Sequence, residues 1–178
     1  MVRSHQSTTR WESVSGVVAL VVGFCALCTT AYTAYLQRNQ AHSAVWPRVM
    51  FGTAGPDFHF EILNKGVGPA IIERVDIRVD GVPITTWQQG LRRVLGQAPP
   101  SLRVSTLSGT VLTPGETLSV LSFGDRSVRD RVEAARSRFS VQICYCSIYN
   151  QCWSFDDRDD QTRLVPACRK PDDKSFGM

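Results

Sequence analysis

The hydrophobic pattern of the chain changes sharply after residue 36. Residues 13–36 (SVSGVVALVVGFCALCTTAYTAYL) contain no charged side chain. As an α-helix they would rise roughly 36 Å, enough to cross the hydrocarbon core of a bilayer, about 30 Å thick. Trp11 precedes the run, and Tyr32 and Tyr35 lie at its end, where aromatic residues meet the membrane interfaces. The pattern predicts a transmembrane helix over 13–36 in contact with the lipid bilayer, preceded by a tail of residues 1–12.

A cleaved signal peptide is the main alternative for this segment. Such a peptide has a shorter apolar core directly behind a compact basic start, whereas here the apolar run is longer and begins only at residue 13. A lipoprotein signal needs small residues just before its cysteine, but Phe24 precedes Cys25 and Leu27 precedes Cys28. We therefore expect an uncleaved anchor in which both cysteines act as small apolar helix residues.

Beyond a polar linker at 37–47, apolar residues recur with a period of two, which is typical of β-strands. In ERVDIRVD, residues 73–80, Val75, Ile77 and Val79 alternate with charged residues. One apolar and one charged face indicate an antiparallel sheet with water on one side, and Asp80-Gly81 predicts a hairpin turn. Other strands are predicted at 49–51, 58–64, 102–107, 116–123, 138–149 and 151–155. About seven short strands are typical of a two-sheet sandwich.

Two segments between the strands have helical spacing instead. Residues 85–96 (TTWQQGLRRVLG) place Trp87, Leu91, Val94 and Leu95 on one face and stop at Gly96. Residues 125–139 do the same with Val128, Val132, Ala135 and Phe139, and Ser127 and Asp130 have the spacing of a capping box. The arginines on the second helix could bind an anionic surface, but the acidic residues beside them favour an ordinary solvated face.

Composition and charge limit the class of protein. The 178 residues are 43% hydrophobic and 20% charged, with a net charge of +4. This composition is that of a globular chain with one full core. The charge is small and dispersed, so nucleic acid is not expected as a partner. We expect one domain at 48–168 and a flexible C-terminal tail at 169–178.

A glycine-proline corner precedes the alternating strand. It contains Asn64, Gly66, Gly68, Pro69 and Ala70. We expect the asparagine to bond the turn backbone, the glycines to adopt backbone angles closed to other residues, and the proline to fix the chain direction. A second turn signal, with Pro114, Gly115 and Glu116, precedes a later strand.

These residues resemble the corner and the turn of bacterial immunoglobulin-like domains of the cell-adhesion-related kind. The chain is also similar to small single-span bacterial envelope proteins, with a late segment carried here by Tyr145, Cys146 and Ser147. The resemblance covers most of residues 45–168. It implies a mainly β fold: an immunoglobulin-like antiparallel sandwich with two short inserted helices, behind one membrane helix. It implies no activity.

Four cysteines form a distal group: Cys144, Cys146, Cys152 and Cys168. A three-residue loop between the last two strands would place Cys146 opposite Cys152, within disulfide reach. Cys144 would then remain for Cys168. Four cysteines permit three pairings, so this one is preferred but not unique. This distal group has neither the C-x2-C pairs of zinc ribbons nor a nearby histidine, so disulfides are favoured over zinc or free thiols.

The positive charges beside the span do not decide its orientation, because Arg3 and Arg10 precede it and Arg38 and Arg48 follow it. The disulfides decide it instead, since they require an oxidising compartment. We expect a bacterial inner-membrane protein with residues 1–12 in the cytoplasm and its C-terminal domain in the periplasm.

No reaction motif is present in the sequence. The histidines are scattered, and the acidic stretch at 156–160 lacks the glycine and the terminal glutamate of an EF-hand loop. We expect no catalytic residue, metal or cofactor. The sequence favours a binding or accessory module with a protein partner in an envelope complex, with oligomerisation open. The alternative is a membrane-anchored periplasmic enzyme, thiol-dependent or hydrolytic.

Overall fold

The computed structural model describes residues 6–54, 58–99, 101–172 and 175–177. The chain divides into an N-terminal unit, residues 1–43, and a C-terminal unit, residues 44–178.

A single helix, α1 (Gln6–Ala44), forms the N-terminal unit. Its candidate membrane span, Val14–Ala41, has 28 residues, and the most apolar 18-residue stretch in it has a mean hydropathy of 2.2. It is long and apolar enough to cross a membrane. The hydroxyls of Thr30 and Thr33 donate to backbone carbonyls four residues earlier, at 2.7 and 3.0 Å, so they need no water inside a bilayer.

The helix is longer than the sequence pattern predicts. Most of the linker expected at 37–47 is helical, because α1 continues to Ala44. Residues 37–44 contain no proline or glycine, and glutamine, arginine and alanine are good helix formers. The chain leaves the helix only shortly before Pro47, where a helical conformation of the preceding residue is disfavoured.

Ten β-strands lie in the described part of the C-terminal unit. They are β1 (Val49–Ala54), β2 (His59–Asn64), β3 (Ala70–Val79), β4 (Val82–Ile84), β5 (Leu102–Val104), β6 (Val111–Leu112), β7 (Thr117–Phe123), β8 (Phe139–Cys146), β9 (Cys152–Asp156) and β10 (Gln161–Val165). One sheet has the order β1-β2-β7-β5, and the other has the order β10-β9-β8-β3-β4 with β6 added to β3. Every strand pair is antiparallel. The expected mainly β, two-sheet architecture is confirmed.

The core contains the residues that the period-two pattern assigns to the inner face. Val75, Ile77 and Val79 of β3 are at most 1% exposed. Phe60 of β2 lies at the centre, with its ring 5.5 Å from that of Phe139, on a strand of the other sheet. Burying each such side chain contributes roughly 1.5–3 kcal/mol.

Two α-helices and a 3₁₀ turn connect the strands. Helix α2 (Trp87–Leu95) ends at Gly96, which has a φ of 83° as a C-terminal glycine should. Helix α3 (Arg126–Ala134) is followed by the turn Arg136–Arg138. The capping box predicted at Ser127 and Asp130 is wrong. Asp125 caps α3 instead, because its carboxylate already accepts from the Ser127 N–H.

The sequence pattern misses three strands, β4, β6 and β10. Two of them have only two or three residues, too few for a period to be visible. In the third, β10, three of the five residues are exposed and the other two are half-buried, so it lacks a buried apolar face. The segment expected as a strand at 102–107 pairs only at Leu102–Val104.

The corner at 64–70 carries the chain from one sheet to the other. The Asn64 amide is fully buried. Its oxygen accepts from the backbone N–H groups of Arg48 and Gly66, at 3.1 and 3.0 Å. Its nitrogen donates to the carbonyls of Gly68 and Leu112, at 2.8 and 3.1 Å. One side chain thus satisfies four backbone groups from three segments of the chain.

The two corner glycines are needed for space. Neither Gly66 nor Gly68 has the positive φ that would exclude other residues, so the expectation of unusual backbone angles is wrong. A Cβ atom on Gly66 would overlap the backbone of residues 46–48, and one on Gly68 would overlap the backbone of Val45. The corner packs directly on the segment that leads into β1.

Replacing Gly68 by alanine should therefore lower the free energy of unfolding by about 2 kcal/mol, as overpacking against a fixed backbone typically does. Gly52→Ala is the matched control, because a Cβ on Gly52 meets nothing within 4 Å. The denaturant midpoint of the full-length protein in a neutral detergent measures both. Equal midpoints for the two variants would contradict the close backbone approach.

Candidate functional site

The outer face of the six-stranded sheet carries a continuous group of charged residues, polar residues and cysteines. The strand register places Arg74 opposite Cys144, Cys144 opposite Ser154, and Ser154 opposite Arg163. The next outward row contains Asp76, Gln142, Asp156 and Gln161. Since alternate residues of a strand face the same way, these side chains form one polar surface across four strands.

Two disulfides lie at one end of this face. Cys146 is bonded to Cys152 across the β8–β9 hairpin, and Cys144 is bonded to Cys168. This is the pairing that the strand register favours in the sequence. The hairpin turn is as expected, with Tyr145 opposite Trp153 and Cys146 opposite Cys152.

The two disulfides touch each other. The Cys146 and Cys168 sulfurs, which belong to different bonds, are 3.7 Å apart. Three of the sulfurs lie close enough together to hold a metal ion if they were reduced. In the bonded state the sulfurs are not thiolates, which are the form that binds zinc.

The segment after Cys168 is held by further contacts. The Arg74 guanidinium donates to the Lys170 carbonyl at 2.9 Å and pairs with Asp172 at 3.4 Å. The Phe176 N–H donates to the Val75 carbonyl at 3.0 Å. Strand β3 pairs with β6 before Val75 and with β4 after it, so this bond lies between those two short strands.

The end of the chain is therefore not a flexible tail over residues 175–177, in contrast to the expectation for 169–178. Ser175 and Phe176 are buried, and the Phe176 ring lies 5.0 Å from that of Trp87. A single aromatic residue near the chain end has no period that reveals its packing. The Phe176 side chain therefore packs in the core of the β-domain.

This segment and the sheet enclose a cleft of about 320 Å³. Its floor comes from β3, β8 and β9, and its wall comes from the chain around the Cys144–Cys168 bond. A smaller recess of about 90 Å³ continues from it toward the β9–β10 turn and shares Asp76, Arg78 and Gln142. The cleft joins the cysteine group to the charged face of β3.

Other candidate residues lie on the other sheet or at the border of this face. His59 is on the four-stranded sheet, where its Nε2 is 3.5 Å from Glu61. The acidic stretch at 156–160 spans the β9–β10 turn, and Asp157 pairs with Arg136 at 2.9 Å and accepts from the Val141 N–H. The Asp157 carboxylate therefore has a structural role, because Arg136 neutralises its charge and the Val141 N–H binds it.

Neither the family models, nor the curated proteins, nor the solved structures include a match to this chain. The likeness to bacterial envelope proteins remains a prediction. Function has to be argued from the geometry of the two units.

We predict that all four distal cysteines are oxidised in protein taken from cells, as Cys146–Cys152 and Cys144–Cys168. The second bond closes a loop with a sequence separation of 24, and in the chain-entropy model its loss costs roughly 3 kcal/mol. Replacing Cys144 and Cys168 together by serine should lower the unfolding midpoint, whereas Cys25→Ala in the N-terminal helix should not. Peptide mapping without reductant identifies the bonds, and four alkylatable thiols in acid-quenched cells would contradict them.

Proposed function

We propose that the protein is a single-pass bacterial inner-membrane protein that displays its β-domain in the periplasm as a binding module. The observation that carries this proposal is the combination of a helix long and apolar enough to cross a membrane with a domain that contains two disulfides. Structural disulfides are stable in oxidising compartments and rare in the cytosol.

The strand order supports an immunoglobulin-like fold for this domain. In that fold, strands A, B, E and D form one sheet and C, F and G form the other. Labelling β1, β2, β3, β5, β7, β8 and β9 as A to G reproduces both orders, since β5-β7-β2-β1 reads D-E-B-A and β9-β8-β3 reads G-F-C. Strand β4 then takes the place of the additional strand beside C, and the corner at 64–70 is the B–C connection.

A binding role is favoured over the enzymatic alternative by the state of the reactive groups. The cysteines that could act as nucleophiles on the β-domain are bonded in pairs. The phenol of Tyr145, between Cys144 and Cys146 in β8, is fully buried, and burial raises its pKa above the ordinary value. It is therefore a poor proton donor or acceptor at neutral pH.

The edge of the six-stranded sheet offers a surface for a protein partner. Strand β10 pairs with β9 on one side only, in the described residues. An unpaired strand edge presents backbone donors and acceptors that a second chain can bind. Leu164 on this strand is 70% exposed, and Ile148 at the same end of the sheet is 52% exposed. We propose that the envelope partner adds to this edge.

Orientation can be tested with two single cysteines in a background that lacks Cys25 and Cys28. Gln88 is exposed on α2, so Gln88→Cys should react with a membrane-impermeant maleimide once the outer membrane is permeabilised. Ser7→Cys should react only after the inner membrane is lysed. The protein should also resist carbonate extraction and retain its N-terminal region. The reverse labelling, or a soluble form that begins near residues 34–42, would refute the proposal.

The partner surface can be tested by placing a photo-crosslinking amino acid at position 164 in cells. We expect a discrete higher-mass product that contains one specific protein. The same amino acid at Arg103, an exposed position on the edge strand β5 of the other sheet, is the control. Equal products from both positions, or a product from position 103 alone, would contradict β10 as the contact.

A further inference from the structure

The cleft beside the Cys144–Cys168 bond has a composition that selects a particular class of ligand. Small-molecule pockets are mostly lined by apolar and aromatic side chains, but this one contains no aromatic residue and only two aliphatic ones, Val165 and Ala167. Three arginines line it against one carboxylate. The lining thus has a formal charge of +2, from three positive charges and one negative charge. The cleft is suited to a hydrophilic, negatively charged ligand.

One of the three arginines is part of the structure. The Arg74 guanidinium donates two hydrogen bonds to the Asp76 carboxylate, at 2.7 and 2.8 Å, and pairs with Asp172. The hydrogen bond to Asp76 raises the pKa of Arg74 above its ordinary value. Its charge is compensated, so Arg74 forms a rigid part of the floor.

The other two arginines have no acidic partner within the described ranges of the chain. Arg78 is exposed and donates a hydrogen bond of 3.3 Å to the Gly81 carbonyl. Arg169 has no carboxylate at ion-pair distance in the parts of the chain that the structure describes. By contrast, Arg163 on the same face is paired with Asp159. Two positive charges therefore line the cleft without an acidic partner among the described residues.

Neutral donors lie between these charges. Gln142 of β8 and Ser154 of β9 line the floor, and both point outward from the sheet by register. An amide and a hydroxyl can donate to an oxyanion that the guanidinium groups attract. A guanidinium presents its N–H groups in a planar fork that matches the oxygens of a carboxylate or a phosphate.

We propose that this cleft is a binding site for a small hydrophilic oxyanion, a carboxylate or a phosphate, held by Arg78 and Arg169 with Gln142 and Ser154 as neutral donors. The ligand is distinct from the protein partner proposed for the β10 edge. The Cys144–Cys168 bond holds Arg169 beside the cleft, since residue 169 directly follows the bonded cysteine. The site is thus formed by the oxidised protein.

Binding can be measured on the full-length protein in a neutral detergent by titration calorimetry. The probes are inorganic phosphate, acetate, and mixed micelles that contain an anionic phospholipid. We expect saturable binding that weakens as salt is raised, because the contributing charges are partly exposed. Arg78→Gln and Arg169→Gln should each weaken binding by roughly tenfold or more, as expected for loss of a charge-assisted hydrogen bond.

Arg103→Gln is the matched control, since it removes one exposed arginine from the other sheet and should bind as the parent does. Arg169→Lys, which keeps the charge and loses the fork, should lie between the parent and Arg169→Gln. Binding of phosphate or acetate identifies a soluble ligand, and binding of the micelles alone identifies a lipid headgroup as the source of the same chemistry. Absence of saturable binding to all three probes, or equal binding by the three glutamine variants, would overturn the site.

Discussion

The buried amide of Asn64 is the interaction on which the rest of the β-domain depends. It satisfies backbone groups at the start of β1, within the corner, and at the end of β6. Backbone hydrogen bonds of Asn64 with Gly115 and Glu116 add the turn before β7. A buried backbone group without a partner costs roughly 1–3 kcal/mol, so no apolar residue of similar size could replace this one. Both sheets are joined at this residue.

The strands that the sequence predicts well are those with one solvent-exposed face and one buried face. The alternation of β3 is visible because Val75, Ile77 and Val79 are buried while Arg74 and Arg78 face outward. Where that contrast is missing, as along β10, the period is lost.

The corner shows a different limit of prediction from sequence. Its residues could be identified from their types, but the reason for the glycines is the close approach of residues 45–48, about twenty positions earlier, which no local pattern contains.

The same distinction applies to the candidate site. The disulfide pairing follows from a short hairpin, because a three-residue loop determines the register of Cys146 and Cys152. The cleft does not follow from any motif, since its residues come from four strands and from the chain beyond them. In the sequence, Arg74 and Arg78 look alike, because both are polar positions in the alternating pattern of one strand. Their different roles depend on Asp172, 98 positions away from Arg74.

Compartment and binding site are linked through one covalent bond. The wall of the cleft is the segment that Cys168 attaches to β8, and the same segment continues to Phe176 in the core. In a reducing environment the attachment at Cys168 would be lost, while the contacts of Asp172 and Phe176 would remain. Arg169 would then lose the covalent attachment of its preceding residue and be held only from the following one, through the Arg74 contact to Lys170. The oxidising compartment that the disulfides require is therefore also the one in which the cleft is complete.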